Sequence, residues 1–230
     1  MNQVLNRRHL LQLAAAAGLP AGQLAWAEKT TDQQTAPTAD QALEMLMEGN
    51  ARYVNGDMDV RDFYPNRQTL ASGQSPHSAI LACSDSRVAP ELVFDQSRGD
   101  LFVVRVAGNF VNQDGLASLE FTTKVLGTPL IMVMGHTQCG AVAATIDVVK
   151  NHTQLPGHLP EMIRAIKPAV EKTRNQTGDR LLNTIKANVV VNVNKLKTAQ
   201  PIIAELVEQK KVKIVGALYH LKTGKVELIG

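Results

Sequence analysis

Cysteine is nearly absent from this chain of 230 residues, which holds two, Cys83 and Cys139. That scarcity excludes a disulfide-framework scaffold, which needs several bridges. Aromatic residues make up 4% of the chain, with one tryptophan, Trp26, and no Lys/Arg stripe alternates with them. A nucleic-acid footprint is therefore excluded. Charge is also sparse: the formal balance is +3, and the first 27 residues contribute Arg7 and Arg8 and no acid, so the remainder carries +1. The run QKKVK (Gln209 to Lys213) reads as a solvated helix end. No segment reaches the ~20 consecutive apolar residues of a stable membrane span. No repeat or long linker divides the chain, and 44% apolar content dominated by aliphatic residues suits a single α/β core.

What is present starts with Arg7-Arg8, followed by a weakly apolar stretch broken by Gly18, Pro20, Gly22 and Gln23 and ending in Ala25-Trp26-Ala27. This layout resembles a bacterial twin-arginine signal cleaved before Glu28, with Leu10 where phenylalanine is usual. Polar residues through Ala39 read as a flexible lead-in. The expected organisation is a signal peptide at 1–27, a lead-in at 28–39 and one domain at 40–230, exported to the bacterial periplasm.

Asp40 to Tyr53 predicts an amphipathic helix capped by Asp40 that packs its apolar stripe on another element or on a neighbouring subunit. HSAILA (His77 to Ala82), LFVVRV (Leu101 to Val106) and LIMVM (Leu130 to Met134) are near-continuous apolar runs, as expected of parallel strands buried on both faces. Helical spacing recurs over Gly115 to Leu126, Ala141 to Lys150, Pro160 to Thr173 and Arg180 to Lys210. Val212 to Tyr219 follows as a strand, and the Thr-Gly turn in YHLKTGKVELI closes a hairpin. The alternation predicts an α/β fold, a mainly parallel sheet with one antiparallel edge strand and flanking helices.

In such a sheet the ligand site lies at the carboxyl ends of the strands. Cys83 ends the strand ILA, and His136 and Cys139 lie just past LIMVM. Two thiols and an imidazole make three ligands of a tetrahedral zinc site with one corner open, a catalytic rather than structural arrangement. Asp85 is the nearest candidate for the fourth corner, and Arg87 offers it a competing bidentate ion pair. Cys139 also sits just before a predicted helix N-terminus, which favours its thiolate. Cysteines alone would favour a disulfide in an exported chain; His136, Asp85 and Arg87 beside them favour metal. The remaining histidines, His77, His152, His158 and His220, read as surface or packing residues.

CSDSR (Cys83 to Arg87) and HTQC (His136 to Cys139) resemble the CxDxR and HxxC motifs of the β-class carbonic anhydrases. LEMLMEGNARYVNG, GDLFVVRVAGN and GALYHLKTGKVEL extend the likeness over about residues 40 to 230. The resemblance implies one Zn²⁺ per subunit on Cys83, His136 and Cys139, with Asp85 and Arg87 as a catalytic dyad and Asp85 a removable fourth ligand. It implies reversible hydration of carbon dioxide to bicarbonate by zinc-bound hydroxide, in a homodimer or larger homo-oligomer. Gln96, one position early for the family's bicarbonate-binding glutamine, and Gly140 are further substrate-binding candidates. The bicarbonate-binding triad of some relatives includes a tryptophan, and Trp26 falls inside the expected signal. Two thiolates and a neutral imidazole cancel the charge of Zn²⁺, so its water should be less acidic than the pKa of about 7 at a three-histidine site. Alternatives are a carbonyl sulfide or carbon disulfide hydrolase on the same fold, and a zinc-binding module without turnover.

Overall fold

A computed structural model describes residues 36–62 and 66–229. The expected signal peptide and most of the lead-in lie outside the described residues. The first described helix, α1 (Ala39–Asn55), starts one residue before the expected Asp40 because Thr38 is its cap. The Thr38 hydroxyl accepts from the Gln41 N–H while the Gln41 side chain accepts from the Thr38 N–H, a capping box that satisfies two orphan donors. Short helix α2 (Asn66–Ala71) precedes β1 (Ser78–Ala82), α3 (Pro90–Val93), β2 (Leu101–Arg105), α4 (Gln113–Lys124) and β3 (Leu130–His136). There follow α5 (Gly140–Asn151), α6 (Leu159–Lys172), α7 (Arg180–Lys197), α8 (Ile202–Glu208), β4 (Lys213–Tyr219) and β5 (Val226–Ile229).

The expected helix from Arg180 to Lys210 is therefore two. Pro201 divides it, because proline lacks the N–H that would continue the ladder and its ring clashes with the preceding turn. The strands form one sheet in the order β2-β1-β3-β4-β5, parallel except for the β4–β5 pair. The α/β expectation with one antiparallel edge strand holds.

Alternation along the strands splits the core. Ile80, Ala82, Leu130, Met132 and Met134 face a cluster completed by Ala42 and Leu46 of α1 and by Phe94. Ala79, Leu81, Ile131 and Val133 face α4, α7 and α8. Both faces are covered, which is why these strands read as continuous apolar runs. Helix α1 packs on its own sheet. Buried Asn50 fixes it there, donating to the Val93 and Gly224 carbonyls at 2.9 and 2.8 Å and accepting from the Val226 N–H at 2.8 Å.

Helix α7 lies closely against β3 and β4. A Cβ at Gly135 would come within 2.8 Å of Val189 Cγ2 and 3.3 Å of Ile185 Cγ2. Gly135→Ala should therefore push α7 off β3 and destabilise the protein by about 1–3 kcal/mol. Urea unfolding checks this; an unchanged midpoint would contradict it.

Candidate metal centre

Strand β1 lies between β2 and β3, so the chain runs to opposite sides of β1 in succession and a crevice opens at the carboxyl ends of β1 and β3. The register sets Ala82 opposite Met134. Cys83 therefore leaves the sheet level with Gly135, one residue before His136. His136 is the last residue of β3 rather than beyond it. Gln138, with φ +57°, turns the chain back, and Cys139 becomes the N-cap of α5.

Cys83, His136 and Cys139 are all buried, and a ligand atom of each lies within 4.8 Å of the others. The cysteines are free, with sulfurs 4.0 Å apart. The imidazole supports a metal reading. Its Nδ1 lies 3.0 Å from the Thr137 carbonyl, which can only accept, so Nδ1 carries the proton and Nε2 presents a lone pair. That Nε2 is buried with no hydrogen-bond partner among the described residues. A buried acceptor left unpaired costs about 1–3 kcal/mol, and a metal shared with the two sulfurs removes that cost. The soft donor set and its count suit Zn²⁺.

The sulfurs differ in their protons. A hydrogen bond from Cys139 holds the Cys83 thiol well below its ordinary value, helped by the Gly108 N–H, which lies 3.2 Å from Sγ. Cys139 is pushed up, first by Cys83 and then by burial. The N–H groups of Ala141 and Val142 at the start of α5 pull it down, as its place at the helix start predicts, but the neighbouring sulfur outweighs them.

Asp85 is held away from the three donors. The Arg87 Nε and Nη2 donate to its two oxygens at 2.9 and 2.8 Å, and the Arg87 N–H adds a bond at 3.0 Å. Asp85 Oδ2 remains 3.8 Å from His136 Nε2. The guanidinium bonds, more than any other influence, hold the carboxyl well below the usual carboxylate range despite its partial burial.

Of the substrate-binding candidates, Gly140 stands at the first turn of α5, and a Cβ there would meet nothing within 4 Å. Gln96 is not brought to the site within this chain. Its Oε1 lies 3.0 Å from His77 Nε2 and its Nε2 donates to the Phe94 carbonyl at 2.7 Å. His77 precedes the first residue of β1, six residues from Cys83, or about 20 Å along an extended strand. Both polar ends of Gln96 are thus occupied at the opposite end of β1.

Several residues that support the site were not singled out in the sequence. Arg105, ending β2, donates to the Cys83 carbonyl at 3.0 Å and the Asp85 carbonyl at 2.7 Å, clamping the loop that carries both side chains. Two asparagines inside α7 hold the loop after β2: Asn188 donates to the Gly108 carbonyl and Asn192 accepts from the Val111 N–H, each at 2.8 Å. A buried asparagine amid the valines of KANVVVNVNK was the available signal for them.

The carbonic anhydrase family model matches residues 78–226. The chain belongs to the carbonic anhydrase family. It is 36% identical to carbonic anhydrase 2 of Mycobacterium tuberculosis over 81% of this chain and 91% of that protein. It is 36% identical to the carbonic anhydrase of Pseudomonas aeruginosa over 74% of this chain and 82% of that one. Among solved structures it is similar to a tetrameric β-carbonic anhydrase of Sordaria macrospora, with a TM-score of 0.66 and 23% identity over 73% of this chain and 87% of that one. The sheet and its helices are thus the β-carbonic anhydrase fold. The matched family span includes Cys83, His136 and Cys139 as well as the Arg105 clamp.

Arg105→Met would release both carbonyls and loosen the loop. Supporting contacts of this kind are worth on the order of 10–100-fold in metal affinity. Competition between the protein and a chelator for added Zn²⁺ should show the variant binding the ion more weakly than the unaltered protein by that factor; equal affinity would contradict the clamp.

Proposed function

We propose that this protein is a zinc-dependent carbonic anhydrase that reversibly hydrates carbon dioxide to bicarbonate and a proton. Cys83, His136 and Cys139 hold the metal, with Asp85 and Arg87 as the catalytic pair. The observation that carries this reading is the unpartnered Nε2 of His136, which converges with two sulfurs beside a carboxylate that Arg87 keeps charged and turned aside. Zn²⁺ bound there would supply Lewis-acid activation of water toward carbon dioxide.

The chain's own residues supply the rest. His136 is oriented through Nδ1 by Thr137, which fixes the nitrogen offered. Asp85, ionised and held by Arg87, leaves the fourth corner free and presents a fixed hydrogen-bond acceptor beside it. Phe110, Val142 and Leu218 pack with both cysteines into an apolar cluster, which excludes water and suits a nonpolar substrate. The relatives named above are carbonic anhydrases, which favours carbon dioxide over carbonyl sulfide, carbon disulfide or binding without turnover.

Assembly into a homodimer or larger homo-oligomer belongs to the same reading. It is supported by the tetrameric Sordaria structures and by β2, whose outer edge pairs with no strand among the described residues. Export to the periplasm is supported by Arg7-Arg8 ahead of the weakly apolar segment.

Stopped-flow hydration of carbon dioxide tests the reading. Chelation should abolish activity and added zinc restore it; activity indifferent to zinc would overturn the proposal. Cys83→Ser should lose the metal. Arg87→Ala should retain stoichiometric zinc yet lose activity by on the order of 10-fold or more, because Asp85 is freed to take the fourth corner. Full activity in that variant would exclude the assigned role.

The folded-state pKa of Asp85 is depressed. Its ionised form is therefore favoured above the unfolded carboxylate value of about 4, and that stabilisation is lost only as pH falls through the lower folded value. Asp85 consequently contributes no titration near neutrality. With the metal's charge cancelled by two thiolates, kcat should rise with pH through a value above neutrality. A profile flat between about pH 6 and about 9 would contradict this.

A further inference from the structure

Away from the metal centre, a cavity of about 750 Å³ lies between the end of α5, the length of α6 and the first residue of α7. Its apolar wall is Val148, Ile163 and Val170, the last two buried. Around it stand Lys150, Lys167, Arg174 and Arg180, with Glu171 as the one acid in the lining. Lys167 already faces Glu171 at 3.6 Å. Lys150, Arg174 and Arg180 have no side-chain hydrogen bond or ion pair among the described residues, and His152 adds a further polar group at the same end. A second cavity of about 480 Å³ adjoins the first, sharing Val148, Thr153, Ile163 and Lys167. It continues over Leu155 and Pro160, and its other cation, Arg164, is paired with Glu161 at 2.6 Å.

The two compartments thus differ in kind: one has three uncompensated cations, the other an apolar lining with its charges paired. Like charges gathered around a concave surface raise the local concentration of counter-ions, and an apolar recess beside them rewards a hydrophobic extension. We propose that this double cavity binds a small amphipathic anion, its carboxylate or phosphate on Lys150, Arg174 and Arg180 and its short hydrocarbon part over Val148, Ile163, Leu155 and Pro160. None of these residues belongs to the metal centre, so the site stands or falls separately from the carbonic anhydrase reading.

Isothermal titration of the full-length zinc protein with decanoate, inorganic phosphate and neutral decanol tests the proposal. Decanoate should bind saturably and at least about 10-fold more tightly than either of the others, since both compartments contribute only to it. Raising the salt concentration should weaken it, because the cations are exposed. The double variant Arg174→Glu/Arg180→Glu should lose decanoate binding at least 10-fold by the same electrostatic argument, while retaining its circular dichroism spectrum and carbon dioxide hydration. Leu155→Asn should weaken decanoate and leave phosphate unchanged. Absence of saturable decanoate binding would overturn the proposal. So would equal affinity for decanol, or binding indifferent to the charge-reversed pair. Phosphate binding as tightly as decanoate would overturn it as well, because the apolar compartment would then contribute nothing.

Discussion

The site depends first on the parallel register that sets Ala82 of β1 opposite Met134 of β3. This alignment releases Cys83 and His136 from adjacent strands at nearly the same height, at the point where the strand order diverges. A slip of one residue would reverse the faces of every side chain in a strand, so burial on both sides also fixes the chemistry at its end. Cys139 needs an additional device, since it is separated from His136 by two residues. The left-handed turn at Gln138 returns the chain so that Cys139 caps α5 with its sulfur 4.0 Å from Cys83. The donor triplet is thus a consequence of sheet register and one turn.

Within that frame, the pairing of Asp85 with Arg87 acts through geometry rather than titration. Arg87 is more than half exposed, so the pair adds little to stability. Its effect is directional: three donors from one residue occupy both carboxylate oxygens and hold them toward Arg87. Because the guanidinium holds the carboxyl below the usual carboxylate range, Asp85 is protonated only under more acidic conditions than an ordinary carboxylate. Arg105 fixes the same loop from its backbone side, leaving only the side chain of Asp85 to choose between Arg87 and the donor cluster.

Much of this was legible in the sequence, for identifiable reasons. Apolar runs such as SAILA and LIMVM announce strands because both sheet faces are covered, and CSDSR with HTQC places five charged or metal-binding side chains at or just beyond strand ends. What remained hidden is partly local competition between signals and partly long-range packing. Asp40 looks like a cap until the Thr38–Gln41 capping box is seen. The division at Pro201 had a local signal, but the helical pattern on either side masked it. Gln96 lies close to the family's glutamine position, yet its partners are His77 and Phe94 at the amino end of β1. Asn188 and Asn192 carry no motif, and their value arises only when α7 meets the loop after β2.

Those two asparagines bear on the chemistry. Burying an amide inside a helix face is costly unless each polar atom is paired. Here the pairing goes to the Gly108 carbonyl and the Val111 N–H, so α7 holds rigid the segment whose Gly108 N–H reaches Cys83 Sγ at 3.2 Å. A hydrogen bond to a thiolate withdraws part of the charge that the sulfur would otherwise give to a metal. The N–H groups of Ala141 and Val142 act in the same direction on Cys139. A Cys₂His donor set formally cancels a divalent charge, but sulfurs bonded in this way cancel it incompletely. With a divalent metal held there, the backbone around the two cysteines would return some of the Lewis acidity that the thiolates remove, and α7 is the element that holds the Gly108 N–H in place.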